Sequence, residues 1–280
     1  MSLNPTYQDR IQNGDLTGCL EELARQVKNK PNDFKLRAAL VEALCFSGDL
    51  DRAAKHLATL LSMTPERPDL VIMHQNLVKA EQWRRDVFSQ GKTPHLLPEP
   101  SDELQLRLEA IHALAKQERD VFDDKYRAAQ SHEPSVRVEY EEAENLSLRD
   151  YDDLLGPVLE VHFHDGRYVW LEQKDLNRII PDPVLDWTNT LWRPVVLILN
   201  SGDVFKAFIP ALYVDSYLAE SDSVKLGLAT EWIDLGNHVY RGLGQRLLLI
   251  GEREVPLLEL KPISFSPANR SETDTPAETP

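Results

Sequence analysis

The chain has 280 residues, 42% hydrophobic and 28% charged, a composition that suits a folded protein with room for two domains. A formal charge of −15 argues against nucleic acid or an anionic membrane as the main partner, since both demand a basic surface. Cys19 and Cys45 are the only cysteines, too few for a disulfide framework or a cysteine-based zinc site. No apolar run is long enough to span a bilayer, and the first residues lack a signal-peptide pattern, so the expected compartment is the cytoplasm. Residues 1–93 are nearly neutral, which leaves the acidic excess in 94–280 and hints at two domains.

The first predicted elements repeat. Gly14-Asp15-Leu16 returns as Gly48-Asp49-Leu50, and Pro31 as Pro65. Between these anchors Cys19, Leu20, Leu23 and Val27 return as Ala53, Ala54, Leu57 and Leu61. The 34-residue offset is the period of the tetratricopeptide repeat (TPR), a helix–turn–helix unit that buries its face by stacking on neighbours. Leu36, Ala39, Leu40, Ala43 and Leu44 fall on one helical face. Gly48 suits the left-handed residue that stops this helix, and Asp49 can cap the next, whose inner stripe is Leu50, Ala53, Ala54, Leu57, Leu60 and Leu61. Pro68 fits the first turn of a further helix running to about Gln90. Val41 stands where the repeat expects glycine and Gln82 where a third unit should turn, so the pattern supports one complete and two partial repeats.

Repeats of this kind receive a peptide or helix in the groove lined by their first helices. The positions expected to face that groove are Lys35, Ala38, Glu42, Cys45, Phe46, Asp69, Ile72, Asn76 and Lys79. Two lysines among apolar and acidic residues make a poor carboxylate clamp and a better seat for an amphipathic helix. Phe46 has two readings, an aromatic anchor for the incoming helix or a core residue of the repeat.

Gly91 to Pro100 contains three prolines and reads as a connection. Ser101-Asp102-Glu103 opens a helix with the stripe Leu104, Leu108, Ile111, Ala115 and Phe122. Seven acidic residues between Glu139 and Asp153 read as a solvated surface or linker, without the ligand spacing of a calcium loop. Residues 94–153 are thus expected to be linker, helix and acidic stretch.

Residues 154–264 change to strand-like periodicity. Pro157–Phe163 and Arg167–Glu172 flank His164-Asp165-Gly166, a type I′ hairpin signal, and Pro194–Leu199 and Val204–Tyr213 flank a second turn at Asn200–Asp203. Val224–Asp234, Arg246–Ile250 and Glu254–Ile263 read as further strands. Residues 265–280, rich in Ser, Thr, Glu and Pro, read as a disordered tail. The expected fold class is α+β: an N-terminal TPR-like α-helical repeat (1–93) followed by a β-rich, antiparallel barrel or sandwich-like domain.

Glu160, His162 and His164 share a strand face at a spacing metals can use, which leaves a metal-dependent hydrolase as an alternative. No further Cys or His pair completes that site, and the simpler expectation is no metal and no cofactor. There is no P-loop, nucleophile elbow or zincin motif. Gly242-Leu243-Gly244 lacks the third glycine of a dinucleotide fingerprint and reads as a bend or bulge. The other alternative is a generic TPR co-chaperone-like scaffold.

Five segments nevertheless carry a resemblance. Leu155–Val161, Gly166–Trp170, Ile209–Tyr213, Thr230-Glu231-Trp232 and Gly242–Arg246, in this order behind a helical repeat, resemble the ImpE family, also called TagJ. That resemblance implies a non-enzymatic cytoplasmic adaptor of the bacterial type VI secretion system. Its partners would be the small subunit of the contractile sheath, through that subunit's N-terminal helix, and as a second candidate the ClpV ATPase that disassembles the sheath. The motifs carry no known chemistry; Trp170, Tyr213 and Trp232 read as core or interface aromatics.

Overall fold

Asp15, Asp33 and Asp49 each accept a hydrogen bond from the backbone N–H three residues on, at Gly18 (2.7 Å), Leu36 (3.2 Å) and Arg52 (3.2 Å), and so begin three helices. The computed structural model describes residues 6–63, 66, 68–132, 136–184 and 188–266. Its first five helices are α1 (Tyr7–Gln12), α2 (Leu16–Asn29), α3 (Phe34–Phe46), α4 (Leu50–Met63) and α5 (Pro68–Gln90). The bounds of α2 return in α4 after 34 residues, and α5 begins 34 after α3. Pro65 lies outside the described residues. At Gln82, where a third repeat would turn, α5 runs straight on; the Gln82 amide donates to Asp86 one turn later at 3.0 Å. Leu23, Leu40, Leu44, Ala53 and Leu57 pack together in the helical core, whereas Ala54, expected beside them, is exposed. Cys19 and Cys45 are unpaired and buried, and burial pushes the Cys19 thiol up to about 12, so it behaves as an apolar side chain.

The helix opened by Ser101 is two helices, α6 (Asp102–Ala115) and α7 (Arg119–Ser131). Gln117 adopts φ +62°, which breaks the expected single stripe and moves Phe122 onto α7.

The strands are β1 (His95–Leu97), β2 (Arg137–Tyr140), β3 (Ala143–Asp150), β4 (Val158–Phe163), β5 (Tyr168–Glu172), β6 (Leu176–Pro181), β7 (Trp192–Leu199), β8 (Val204–Pro210), β9 (Thr230–Asp234), β10 (Tyr240–Gly244), β11 (Leu247–Ile250), β12 (Arg253–Pro256) and β13 (Ile263–Phe265). Among the described residues eleven join in one sheet, ordered β1-β5-β4-β8-β7-β6-β13-β2-β3-β11-β12, and β9–β10 forms a separate hairpin. One face of the large sheet closes over a single core that includes Val161, Leu197, Ile209 and Ile263.

Several expected elements change here. The proline-rich connection contributes β1, which pairs with β5 in parallel, so the sheet is not wholly antiparallel. The acidic stretch is the β2–β3 hairpin rather than a linker: its paired strands place Glu139 and Glu144 outward and Asp150 inward, with Glu142 exposed in the turn. The run from Val224 begins with a short helix, α8 (Asp222–Lys225), before β9, and a 3₁₀ turn at Leu257–Glu259 divides the last expected strand into β12 and β13. Phe265, placed in the expected tail, is buried in β13, while 267–280 lie outside the described residues. Neither tight hairpin has a type I′ turn. In both, the glycine alone takes positive φ, Gly166 (+92°) and Gly202 (+90°), and its N–H closes on Phe163 or Leu199 at 3.0 Å, a three-residue loop.

The boundary expected at residue 93 is bridged. Leu191, Trp192, Leu212 and Leu226 from the β-rich part pack into the core of α2, α3 and α4, and Val158, Tyr168, Trp170 and Tyr213 share a second core with α5, α6 and α7.

Candidate partner-binding site

The helical face that was expected to be an open groove is partly filled by the chain's own sheet. Trp192 of β7 and Phe208 of β8 approach α3 and α5, and what remains is an apolar cleft with a cavity of about 320 Å³. Ala38, Val41 and Glu42 of α3, Leu57 and Leu60 of α4, and Leu70, Val71 and Leu77 of α5 line it, with Phe34 at its edge. Phe34 is 37% and Leu70 45% exposed, an unusual state for large apolar side chains beside an apolar cavity.

The nine residues expected in the groove separate into four groups. Ala38 and Glu42 do line the cleft. Cys45 and Phe46 do not face solvent at all: they are 4% and 2% exposed, beneath Leu191, Trp192 and Leu212. The β-rich part covers the end of α3, which the helical periodicity of α3 could not reveal. Asn76 and Lys79 line a different depression, and the Asn76 amide donates to the His164 carbonyl at 2.7 Å, clamping the β4–β5 turn. Lys35, Asp69 and Ile72 are exposed and are absent from the lining of the cleft. Changing Phe46 to Ala is therefore expected to cost about 3–5 kcal/mol of unfolding free energy in urea. A loss below about 1 kcal/mol would refute its packing.

Beside the two shared apolar cores, a buried ionic cluster spans helices and sheet. Arg84 of α5 makes a two-pronged contact with Glu160 of β4, at 2.9 and 3.0 Å, and donates to the Leu212 carbonyl at 3.1 Å. Arg246 bonds both Asp150 and Glu160, the latter at 3.1 Å. Tyr168 donates its hydroxyl to Glu160, and the Trp170 indole donates to Tyr168. Arg84, Asp150, Glu160 and Arg246 are all at most 2% exposed. Burial alone would raise the Glu160 carboxyl, but Arg84 and Arg246 outweigh it and hold it down to about 2.

Four of the five family-like segments converge on this cluster. Leu155–Val161 supplies Glu160, Gly166–Trp170 supplies Tyr168 and Trp170, Ile209–Tyr213 supplies the Leu212 carbonyl, and Gly242–Arg246 supplies Arg246. Tyr213 donates to Asp150 at 3.2 Å and is buried; Trp232 is 40% exposed. Sequence reasoning missed Arg84, Arg246 and Asp150, because a charge in a helical or acidic stretch reads as surface until its partner is found. The Arg85 guanidinium, 3.8 Å from the Tyr217 ring centroid, also donates to the Gly48 carbonyl at 2.8 Å, tying the repeat's turn to the β-rich part.

The hydrolase alternative loses its site. Both Glu160 oxygens are occupied by arginines and a tyrosine, His162 is fully buried, and His164 is exposed in the turn. No group of three Asp, Glu, His or Cys residues that could hold a metal ion occurs among the described residues. Among the described residues neither His162 ring nitrogen has a hydrogen-bond partner, and Glu81, at 3.6 Å, is too distant to supply one.

Burial pushes His162 down to about 4 from its ordinary 6.5, so the folded protein holds it neutral. Its contribution to stability is complete above pH 6.5 and is lost as pH falls toward 4, up to about 3 kcal/mol. Asp152 has the opposite sign: burial raises it to about 7, so its contribution weakens as pH rises from 3.8 to 7. The difference between wild type and His162→Phe isolates the histidine. Between pH 6.5 and 4.5 the variant is expected to lose less stability in urea unfolding, and a flat difference would mean that His162 titrates normally.

Residues 142–264 match the family model described as "ImpE protein". Over 262 residues the chain is 29% identical to the type VI secretion system accessory component TagJ of Pseudomonas aeruginosa, covering 94% of this chain and 92% of that protein. A crystal structure of a Vibrio parahaemolyticus protein superposes with a TM-score of 0.86 at 26% identity, over 93% of this chain and 97% of the other. The resemblance read from the five segments is borne out. No helix among the described residues is long and apolar enough to cross a membrane.

Proposed function

We propose, on the premise that residues 142–264 belong to the ImpE family, that this chain is a non-enzymatic accessory component of a type VI secretion system, acting as a protein-binding adaptor. Its ligand is an amphipathic helix, the N-terminal helix of the small sheath subunit. The observation that carries this reading is the apolar cleft between α3, α4, α5 and the β7–β8 pair, with Phe34 and Leu70 standing exposed beside it. The cavity has room for a few aliphatic side chains, so the incoming helix lies across it and inserts one apolar stripe.

The test is titration of a synthetic peptide of that sheath helix into wild type, Ala38→Glu and Leu70→Glu. A charge placed in an apolar seat is expected to weaken binding roughly tenfold or more, about 1.4 kcal/mol, and melting curves check that both variants stay folded, Leu70 being 45% exposed and Ala38 partly buried. If both variants bind as wild type does, the cleft is not the seat. The same proteins assayed against the ClpV ATPase tell whether that partner uses the same surface.

A further inference from the structure

The β9–β10 hairpin stands off the large sheet, and every residue of β9 except Thr230 is exposed. Its inner strand is anchored: Gly242 N–H donates to the Asp152 carboxylate at 3.0 Å and Tyr240 N–H to Asp153 at 2.7 Å. Directly paired residues share a face, and the register sets Tyr240 opposite Asp234 and Gly242 opposite Trp232. Trp232, Asp234 and Tyr240 therefore lie on one side of the hairpin. The Tyr213 ring packs directly against Gly242, which has no side chain, and the Trp232 ring sits 5.8 Å from the rings of Tyr151 and Tyr213.

Between hairpin and sheet this side encloses a recess of about 450 Å³, lined by Tyr151, Trp232, Tyr240, Leu249, Arg149 and Asp153. Trp232 and Tyr240 are 40% and 39% exposed. The charges around the recess are unequal. Arg149 is neutralised by Asp153 at 2.7 Å. Asp234 on the same hairpin face, and Glu254, which accepts the Tyr151 hydroxyl at 2.9 Å, form no ion pair among the described residues. Three aromatic rings thus border a space that carries surplus negative charge.

We propose that this recess is a docking site for a cationic side chain, arginine or lysine, of a protein partner. A guanidinium or ammonium group entering it meets the negative faces of the rings and the field of Asp234 and Glu254, while its aliphatic stem covers Leu249. An anionic or purely apolar side chain would gain only part of this. None of the lining residues belongs to the apolar cleft, so the site stands or falls independently of the helix-binding reading.

The probe is acetyl-Gly-Arg-Gly-amide, with acetyl-Gly-norleucine-Gly-amide as its uncharged counterpart, titrated into the full chain and followed by saturation transfer to the peptide. The arginine peptide is expected to bind saturably at low salt, and roughly fivefold or more weakly in Trp232→Leu, in Glu254→Gln and in about 0.3 M salt. Both substitutions are at exposed positions, and melting curves verify that the variants fold. The proposal is overturned if the arginine peptide shows no saturable binding, if the norleucine peptide binds as well, or if both variants bind it like wild type.

Discussion

Arg246→Ala is expected to unfold the protein or to remove about 3–5 kcal/mol of stability, since it leaves two carboxylates buried with one fewer cation. Asp150 and Glu160 are both fully buried, and the Arg246 guanidinium donates hydrogen bonds to both. With Arg246 gone, Glu160 keeps Arg84 and Tyr168, but Asp150 keeps only hydrogen bonds, from the Asp152 N–H at 2.8 Å and the Tyr213 hydroxyl at 3.2 Å. The pH dependence moves in a defined direction. In wild type, Glu160 is depressed to about 2, so its stabilising contribution is present above its ordinary 4.5 and is lost as pH falls from 4.5 toward 2. Without Arg246 the folded-state carboxyl is less depressed, the contribution is smaller at neutral pH, and the window of loss narrows toward 4.5.

Urea unfolding at several pH values reads both effects. The triple replacement Asp150→Leu, Glu160→Met and Arg246→Met should cost much less than Arg246→Ala alone, because well-packed apolar groups leave no orphaned charge. A single-variant loss below about 1 kcal/mol would mean that water reaches the cluster and that it does not hold helices to sheet.

The second large effect lies in the same motif. Gly244→Ala is expected to cost roughly 3 kcal/mol or more, from two causes that a control can separate. Gly244 has φ +91°, and a Cβ there would overlap the Ala229 carbonyl oxygen, a backbone atom that cannot rotate away. Gly202 has nearly the same φ, +90°, with nothing within 4 Å of its Cβ position. Gly202→Ala should therefore show the conformational term alone, about 1–2 kcal/mol. If the two variants lose equal stability, the close passage of β10 past Ala229 is wrong.

The local elements were largely legible in the sequence. The 34-residue offset marked the bounds of α2 and α4, Pro68 and Gln90 bounded α5, and Ser101 capped α6, because a helix announces itself through apolar spacing and caps within a few residues. The β4–β5 and β7–β8 hairpins were visible for the same reason, although the chain solved their turns with one left-handed glycine instead of two left-handed residues. Gln82 marked where the repeat would fail, and α5 does pass it without turning.

Of the nine residues expected at the groove, Ala38 and Glu42 line the apolar cleft while Cys45 and Phe46 are buried, since periodicity says which face of a helix is apolar and not what will cover it. Tertiary structure alone decided the rest. Arg84, Asp150, Glu160 and Arg246 are distant in sequence, with 76, 86 and 96 residues separating their bonded pairs, and each reads as a surface charge until the fold brings its partner. Likewise, the acidic run looked like a solvated linker because no short-range rule distinguishes a carboxylate that faces water from one that meets a buried arginine. Sequence thus determined the helices, the hairpins and the family-like segments. Only folding decided that four of those five segments meet at one charged core, because burial of a charge depends on long-range pairing that offsets its desolvation.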